Sequence, residues 1–232
     1  MIAARVATVR ERIARAAERA ARSPDKVTLV AVSKTFPAES VRAAFDAGVR
    51  QFGENRVQEA EAKIEALQDL REEGLRWHLV GHLQSNKARR ALELFDVFES
   101  LDSLDLARRL SRLAREAGRT ARALLQVDLA GEATKFGLPE GEAHAALEEI
   151  RGLDELRVEG LMVLPPYRED PEQTRPYFQR LRALRDQVAA EGLLDGQELS
   201  MGMSHDFEVA VEEGATIVRI GTAIFGEREA AA

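Results

Sequence analysis

The chain has 232 residues, 45% of them hydrophobic and 31% charged, with a formal net charge of −7. That is an ordinary balance for a globular protein, and its acidic sign argues against nucleic acid or an anionic membrane as partner. The absence of cysteine excludes disulfides, thiolate zinc sites, iron–sulfur clusters and cysteine nucleophiles together.

The first predicted element is an amphipathic helix over residues 2–22, striped by Ile2, Val6 and Ile13 and stopped by "SPDK". From there the pattern alternates. The strand-like run "VTLVAVSK" leads into the helix-like "AESVRAAFDAG", then "QFGEN" into "RVQEAEAKIEALQDLREEG", and "WHLVGH" into "NKARRALELF". "VFESLD" is followed by "SLDLARRLSRLAREAG", "ALLQVDL" by "LPEGEAHAALEEIRG", and "VEGLMVLP" by "DPEQTRPYFQRLRALRDQVAAEG". "ELSMGMS" precedes "DFEVAVEEG", and "TIVRIGTAIFG" is read as a last strand with no helix after it. Several helices end in glycine, a common C-terminal stop.

Eight strands alternating with helices predict a parallel sheet, and eight such units with nothing left over fit a closed (β/α)8 TIM barrel. The expected layout is one domain over 1–232, with the barrel at 27–226 behind the added N-terminal helix. A doubly wound open sheet is the competing fold, weakened because no GxGxxG follows the first strand. No apolar run approaches the 18–20 residues of a membrane span and no signal peptide opens the chain, so a cytoplasmic protein is expected. With no second domain to pair, a monomer is expected.

In a barrel, chemistry sits at the C-terminal ends of the strands. Those ends carry Lys34, Glu54–Asn55, His78 and His82, Ser100 to Ser103, Asp128, Met162, Ser200 to Ser204, and Arg219 to Thr222. The last two loops, "MGMSHD" and "RIGTAIFG", suit a phosphate. Gly221 allows close backbone approach, Thr222 adds a hydroxyl, and Ser204 stands where it could cap the helix "DFEVAVEEG". Lys34 ends an apolar strand. From spacing alone it is either a lysine reaching out to solvent or a Schiff-base amine. The second role requires its pKa to fall from about 10.4 through desolvation or a neighbouring cation such as Arg219.

The segments "AVSKTFP", "FGENRVQE", "WHLVGHLQSNKAR", "KFGL", "GLMVLPP" and "LSMGMSHDFEVAVEEGATIVRIGTAIFG" resemble, in order from about residue 27 to 226, the pyridoxal phosphate homeostasis protein family. They are also similar to the fold-type III barrel of alanine racemase without its second domain. The resemblance implies pyridoxal 5′-phosphate held as an internal aldimine on Lys34. It places Asn55 near the cofactor ring, Ser204, Gly221, Thr222 and the backbone around Met203 at the phosphate, and Arg219 facing the pyridine nitrogen. It also implies a role in vitamin B6 balance, with pyridoxal-phosphate-dependent apo-enzymes as candidate recipients.

An arginine at the pyridine nitrogen disfavours ring protonation and weakens the electron sink. Racemisation also needs a second base, and the two tyrosines, Tyr167 and Tyr177, both follow the sixth predicted strand. Binding and delivery without robust catalysis is therefore expected. A cofactor-dependent racemase or decarboxylase, a cofactor-free aldolase and a purely structural protein are the other readings.

Other features have plainer explanations. His78 and His82 share one face of an ideal strand, yet with no third ligand evident no metal is expected, and one could support the cofactor site. His144 and His205 read as surface residues, Lys135 as a solvated loop lysine, and "LPPYREDPEQTRPYF" as a rigid loop.

Overall fold

The computed structural model describes residues 1–131 and 136–227. Eight parallel strands close into a barrel: β1 (Thr28–Val32), β2 (Gln51–Glu54), β3 (Arg76–Leu79), β4 (Val97–Leu101), β5 (Ala121–Asp128), β7 (Leu156–Met162), β8 (Glu198–Met203) and β9 (Ile217–Ile220). The two-residue β6 (Leu138–Pro139) pairs only with the end of β5. Closure comes from β9 pairing with β1, Val30 opposite Arg219.

Alternation along the strands builds two cores. Outward-facing residues such as Ala31, Phe52, Trp77, Phe98 and Val218 pack beneath the helices in one large cluster. The barrel interior holds a small apolar plug of Val30, Leu124, Met162 and Ile217. Several strands read as evenly apolar, but the inner face above and beside this plug is polar, with His78, Glu99, Ser200 and Arg219 all buried there.

Helix α1 (Ile2–Arg19) presents Val6, Val9, Ile13, Ala16 and Ala17 to the core. It packs against α2 (Ala38–Asp46), α9 (Phe207–Glu212) and α10 (Thr222–Phe225), so it covers the seam where the barrel closes. That is where the helix of the eighth unit would otherwise lie, which explains why a helix precedes the barrel.

Two predicted elements are corrected. The run "TIVRIGTAIFG" is not all strand: β9 stops at Ile220, Gly221 leaves the extended region at φ −108°, ψ −80°, and Thr222–Phe225 turn as α10. The long segment 56–74 divides at Leu67 into α3 (Val57–Ala66) and α4 (Gln68–Glu72). The remaining helices are α5 (Ala88–Leu94), α6 (Leu104–Glu116), α7 (Glu140–Ile150) and α8 (Arg175–Ala190). No described helix is long and apolar enough to cross a membrane.

Candidate functional site

Val30 faces the barrel interior, and Lys34, four residues on, shares its parity at the strand's C-terminal end. There a cavity of about 1000 Å³ opens, and Lys34, Asn55, Met203, Ser204, Arg219, Gly221 and Thr222 all line it. All seven residues singled out from the sequence thus converge on one mouth, from the ends of β1, β2, β8 and β9.

The corner nearest β8 and β9 is built differently from the sequence expectation. Ser204 does not cap α9. Asp206 occupies that N-cap position, and its Oδ1 accepts from the Met203 N–H at 2.7 Å. The Ser204 hydroxyl instead reaches across to the other loop and accepts from the N–H groups of Gly221 and Ala223, both at 3.2 Å. A side-chain oxygen against two converging N–H groups marks the corner as one that favours an anionic acceptor. A Cβ at Gly221 would lie 3.3 Å from the Val32 carbonyl oxygen, so glycine keeps this wall flat.

Arg219 enters from β9 and is almost fully buried. Its guanidinium donates to the Ser200 hydroxyl and to the Val163 carbonyl at 2.8 Å, and stands 3.7 Å from Glu99. Glu99 accepts from Ser200 Oγ at 2.5 Å and pairs with His78 Nδ1 at 2.6 Å, while His78 Nε2 meets Gln51 Oε1 at 2.9 Å. Burial alone would raise the Glu99 carboxyl, but His78, Arg219 and Ser200 together outweigh it and hold the group below the usual carboxylate range. Burial lowers Arg219, opposed by Glu99 and Asp206, yet a guanidinium keeps its proton in proteins and stays charged.

The chain compares closely with known proteins. The model of the family "Alanine racemase, N-terminal domain" matches residues 5–229. The pyridoxal phosphate homeostasis protein of Aquifex aeolicus is 45% identical over 225 residues, covering 97% of each chain. The chain belongs to the pyridoxal phosphate homeostasis protein family. PipY of Synechococcus elongatus, whose structure is solved with and without PLP, is 43% identical, and the match covers 97% of this chain and 100% of PipY, with TM-scores of 0.86 and 0.87 respectively. An alanine racemase from Corynebacterium glutamicum shares the fold at 17% identity and a TM-score of 0.68. The match covers 99% of this chain and 62% of the racemase.

The rim of this homeostasis-family cavity also holds His82, expected near the site, and residues for which the sequence reading gave no role there. His82 belongs to the rim, bonded to Asp102 at 2.6 Å and stacked on Phe136 with ring centroids 3.8 Å apart. His78 lies below in the buried network, so the two histidines part company because β3 ends at Leu79. Among the described residues no group of three or more His, Cys, Asp or Glu is placed to hold a metal. The proline-rich segment is more than a spacer, since Leu164 to Arg168 form one wall. His205 lines the cavity too, with Nε2 against the carbonyls of Arg168 and Glu169. His144 lies at the surface beside Glu148 and Glu191, and Lys135 is outside the described residues.

A second buried cluster went unread. Glu54 is fully buried on the outer face of β2, and its Oε1 accepts from Lys63 Nζ and Ser33 Oγ, both at 2.6 Å. Burial raises the Glu54 carboxyl against the pull of Lys63. The available signal was a glutamate and a lysine at otherwise apolar positions of a strand and the helix that follows it.

Proposed function

We propose that this chain binds pyridoxal 5′-phosphate covalently at Lys34 and serves vitamin B6 homeostasis in the cytoplasm, buffering the cofactor or handing it to apo-enzymes. The observation that carries the reading is the convergence of Lys34, the Ser204–Gly221 corner and Arg219 on one cavity. The residues fit the group by their chemistry: a lysine for an aldehyde, converging N–H donors and hydroxyls for a phosphate, and a fixed cation for an unprotonated ring nitrogen. The PLP-bound structure of PipY and the names of the curated relatives support it.

Each residue then has a defined task. Lys34 would hold pyridoxal phosphate through its amine, the cofactor supplying the aldehyde with which a lysine condenses. Ser204 and Thr222 offer hydroxyls to the phosphate, beside the N–H groups of Gly221 and Ala223. Gly221 keeps a side chain out of the phosphate's way, and the backbone around Met203 borders that corner. Asn55 lies beside the ring. Arg219, fixed from behind by Ser200 and Val163, presents charge to the ring nitrogen and keeps a proton off it. That withholds the electron sink that amino-acid chemistry exploits, so robust turnover is not part of this reading.

The test is direct. The protein incubated with pyridoxal phosphate should turn yellow, and borohydride followed by peptide mapping should place the label on Lys34. Lys34→Ala should remain colourless. A protein that takes up no cofactor, or a label on another lysine, overturns the reading. Amino-acid racemisation or decarboxylation at about 1 s⁻¹ or faster removes its non-catalytic part.

A further inference from the structure

Lys34 sits in a turn whose shape its own sequence disfavours. The Phe36 N–H bonds the Ser33 carbonyl at 3.0 Å, closing a four-residue turn with Lys34 and Thr35 at its centre. Thr35 has φ +69°. A positive φ at the third position is the mark of a type II turn, where glycine is the usual residue. For a β-branched side chain the conformation is strained, and it persists only where the surroundings over-determine it.

Here they do so through Ser33. Its N–H donates to the Gly53 carbonyl at 3.0 Å and its hydroxyl to Glu54 at 2.6 Å. Its carbonyl, already receiving Phe36, also accepts from Lys63 Nζ at 2.7 Å. Ser33 itself is fully buried. Its parity, like that of Glu54, is toward the layer between sheet and α3, while Lys34 next to it has the opposite parity, toward the cavity.

The choice of lysine at 63 is informative. Only five of the 33 basic residues are lysines, at positions 26, 34, 63, 87 and 135; arginine does the surface work. Among the described residues Lys63 is the one buried lysine. Its compact ammonium donates to a carboxylate and a backbone carbonyl at once from this buried site, on a flexible stem that needs less room than a planar guanidinium.

We propose that Lys63, held by Glu54, is a positioning residue for Lys34: its ammonium locks the Ser33 carbonyl and so fixes the turn that aims Lys34 into the cavity. The ligand arm of the test rests on the reading of Lys34 as the cofactor amine. The geometric arm does not.

The variant to make is Glu54→Gln/Lys63→Met, which removes the clamp without stranding a buried charge. In it the Kd for pyridoxal phosphate should rise about ten-fold or more. In the cofactor-free protein, labelling of Lys34 by an amine-directed reagent, read by peptide mapping, should speed up about three-fold, with Lys26 and Lys87 unchanged. Adding Thr35→Gly, which needs no clamp to adopt the turn, should restore both readouts. Wild-type affinity and labelling in the double variant overturn the proposal. So does a loss that follows thermal stability alone and is not recovered by Thr35→Gly. If the double variant does not fold, the wild type decides: the Phe36 amide should exchange slowly with solvent, and exchange at loop-like rates rejects a locked turn. Failure of the wild type to bind pyridoxal phosphate would count against the proposed function instead, and the Lys34 labelling pattern would still judge the turn.

Discussion

The Arg219 guanidinium and the Glu99 carboxylate stand 3.7 Å apart inside the barrel, and the Ser200 hydroxyl joins them, donating to Glu99 and accepting from Arg219. Both charges are buried, and each offsets part of the other's desolvation, alongside His78 for Glu99 and Asp206 for Arg219. Removing one alone should therefore cost far more than removing both. Arg219→Met or Glu99→Gln should each lose about 3–5 kcal/mol of stability, while the double variant recovers most of it. Denaturant titration of the four proteins at neutral pH measures this directly. Additive losses would mean that the two side chains are not coupled.

Glu99 also gives the fold an acid dependence of known sign. Its folded-state pKa is held below the usual carboxylate value, so the unfolded chain takes up a proton there first as pH falls. The contribution is complete above an unfolded value of about 4.3 and disappears as pH falls through the lower folded value. The stability gap between wild type and Glu99→Gln should thus be widest near pH 7 and close below about pH 4. Glu54 is shifted the other way, its folded pKa raised by burial. Its contribution is greatest below the unfolded value and declines as pH rises through the folded one. Denaturant midpoints between pH 3 and 7 separate the two, and a gap for Glu99→Gln that stays constant across that range would show that Glu99 is not held ionised by the network.

How far the sequence carried the argument depends on where each contact lies along the chain. Lys34, the "MGMS" loop and the "RIGT" loop were legible because a barrel assigns chemistry to strand ends, and strand ends can be read from local pattern. Arg219 was legible as a position but not as a network, since Glu99 and Ser200 are 101 residues apart. Ser204 was misassigned for the same reason. "SHDFE" locally resembles a helix cap, and the bond actually made is to Gly221, 17 residues away. The Glu54–Lys63 pair is only nine residues apart but joins a strand to a helix. Its partner Ser33 follows the end of another strand, β1, so neither period brings the three together.

Gly81 tests how tightly Asn55 is held. A Cβ at Gly81 would come within 2.4 Å of the Asn55 carbonyl oxygen and 2.9 Å of its Cα, both backbone atoms that cannot rotate away. On its other side the Gly81 carbonyl is fixed by Ser100 Oγ at 2.6 Å. Gly81→Ala must therefore move the loop carrying Asn55, at a cost of about 1–3 kcal/mol. Thermal melts of the cofactor-free protein should show the loss, and pyridoxal phosphate should bind more weakly. Unchanged melting and affinity would mean that the loop yields freely.

The Ser204–Gly221 corner makes the sharpest distinction between phosphate and ring. The hydroxyl that now accepts from Gly221 and Ala223 can rotate to donate to an arriving oxyanion, leaving both N–H groups to bond the anion as well. Ser204→Ala removes that donor and leaves Lys34, Asn55 and Arg219 in place. Loss of one hydrogen bond to a charged group corresponds to about a ten-fold rise in Kd for pyridoxal phosphate. Pyridoxal, which has the aldehyde and ring but no phosphate, should bind wild type and Ser204→Ala equally. Parallel absorbance titrations with the two ligands decide the matter. If pyridoxal binding falls as much as that of the phosphate ester, Ser204 shapes the cavity as a whole and the phosphate must be held elsewhere.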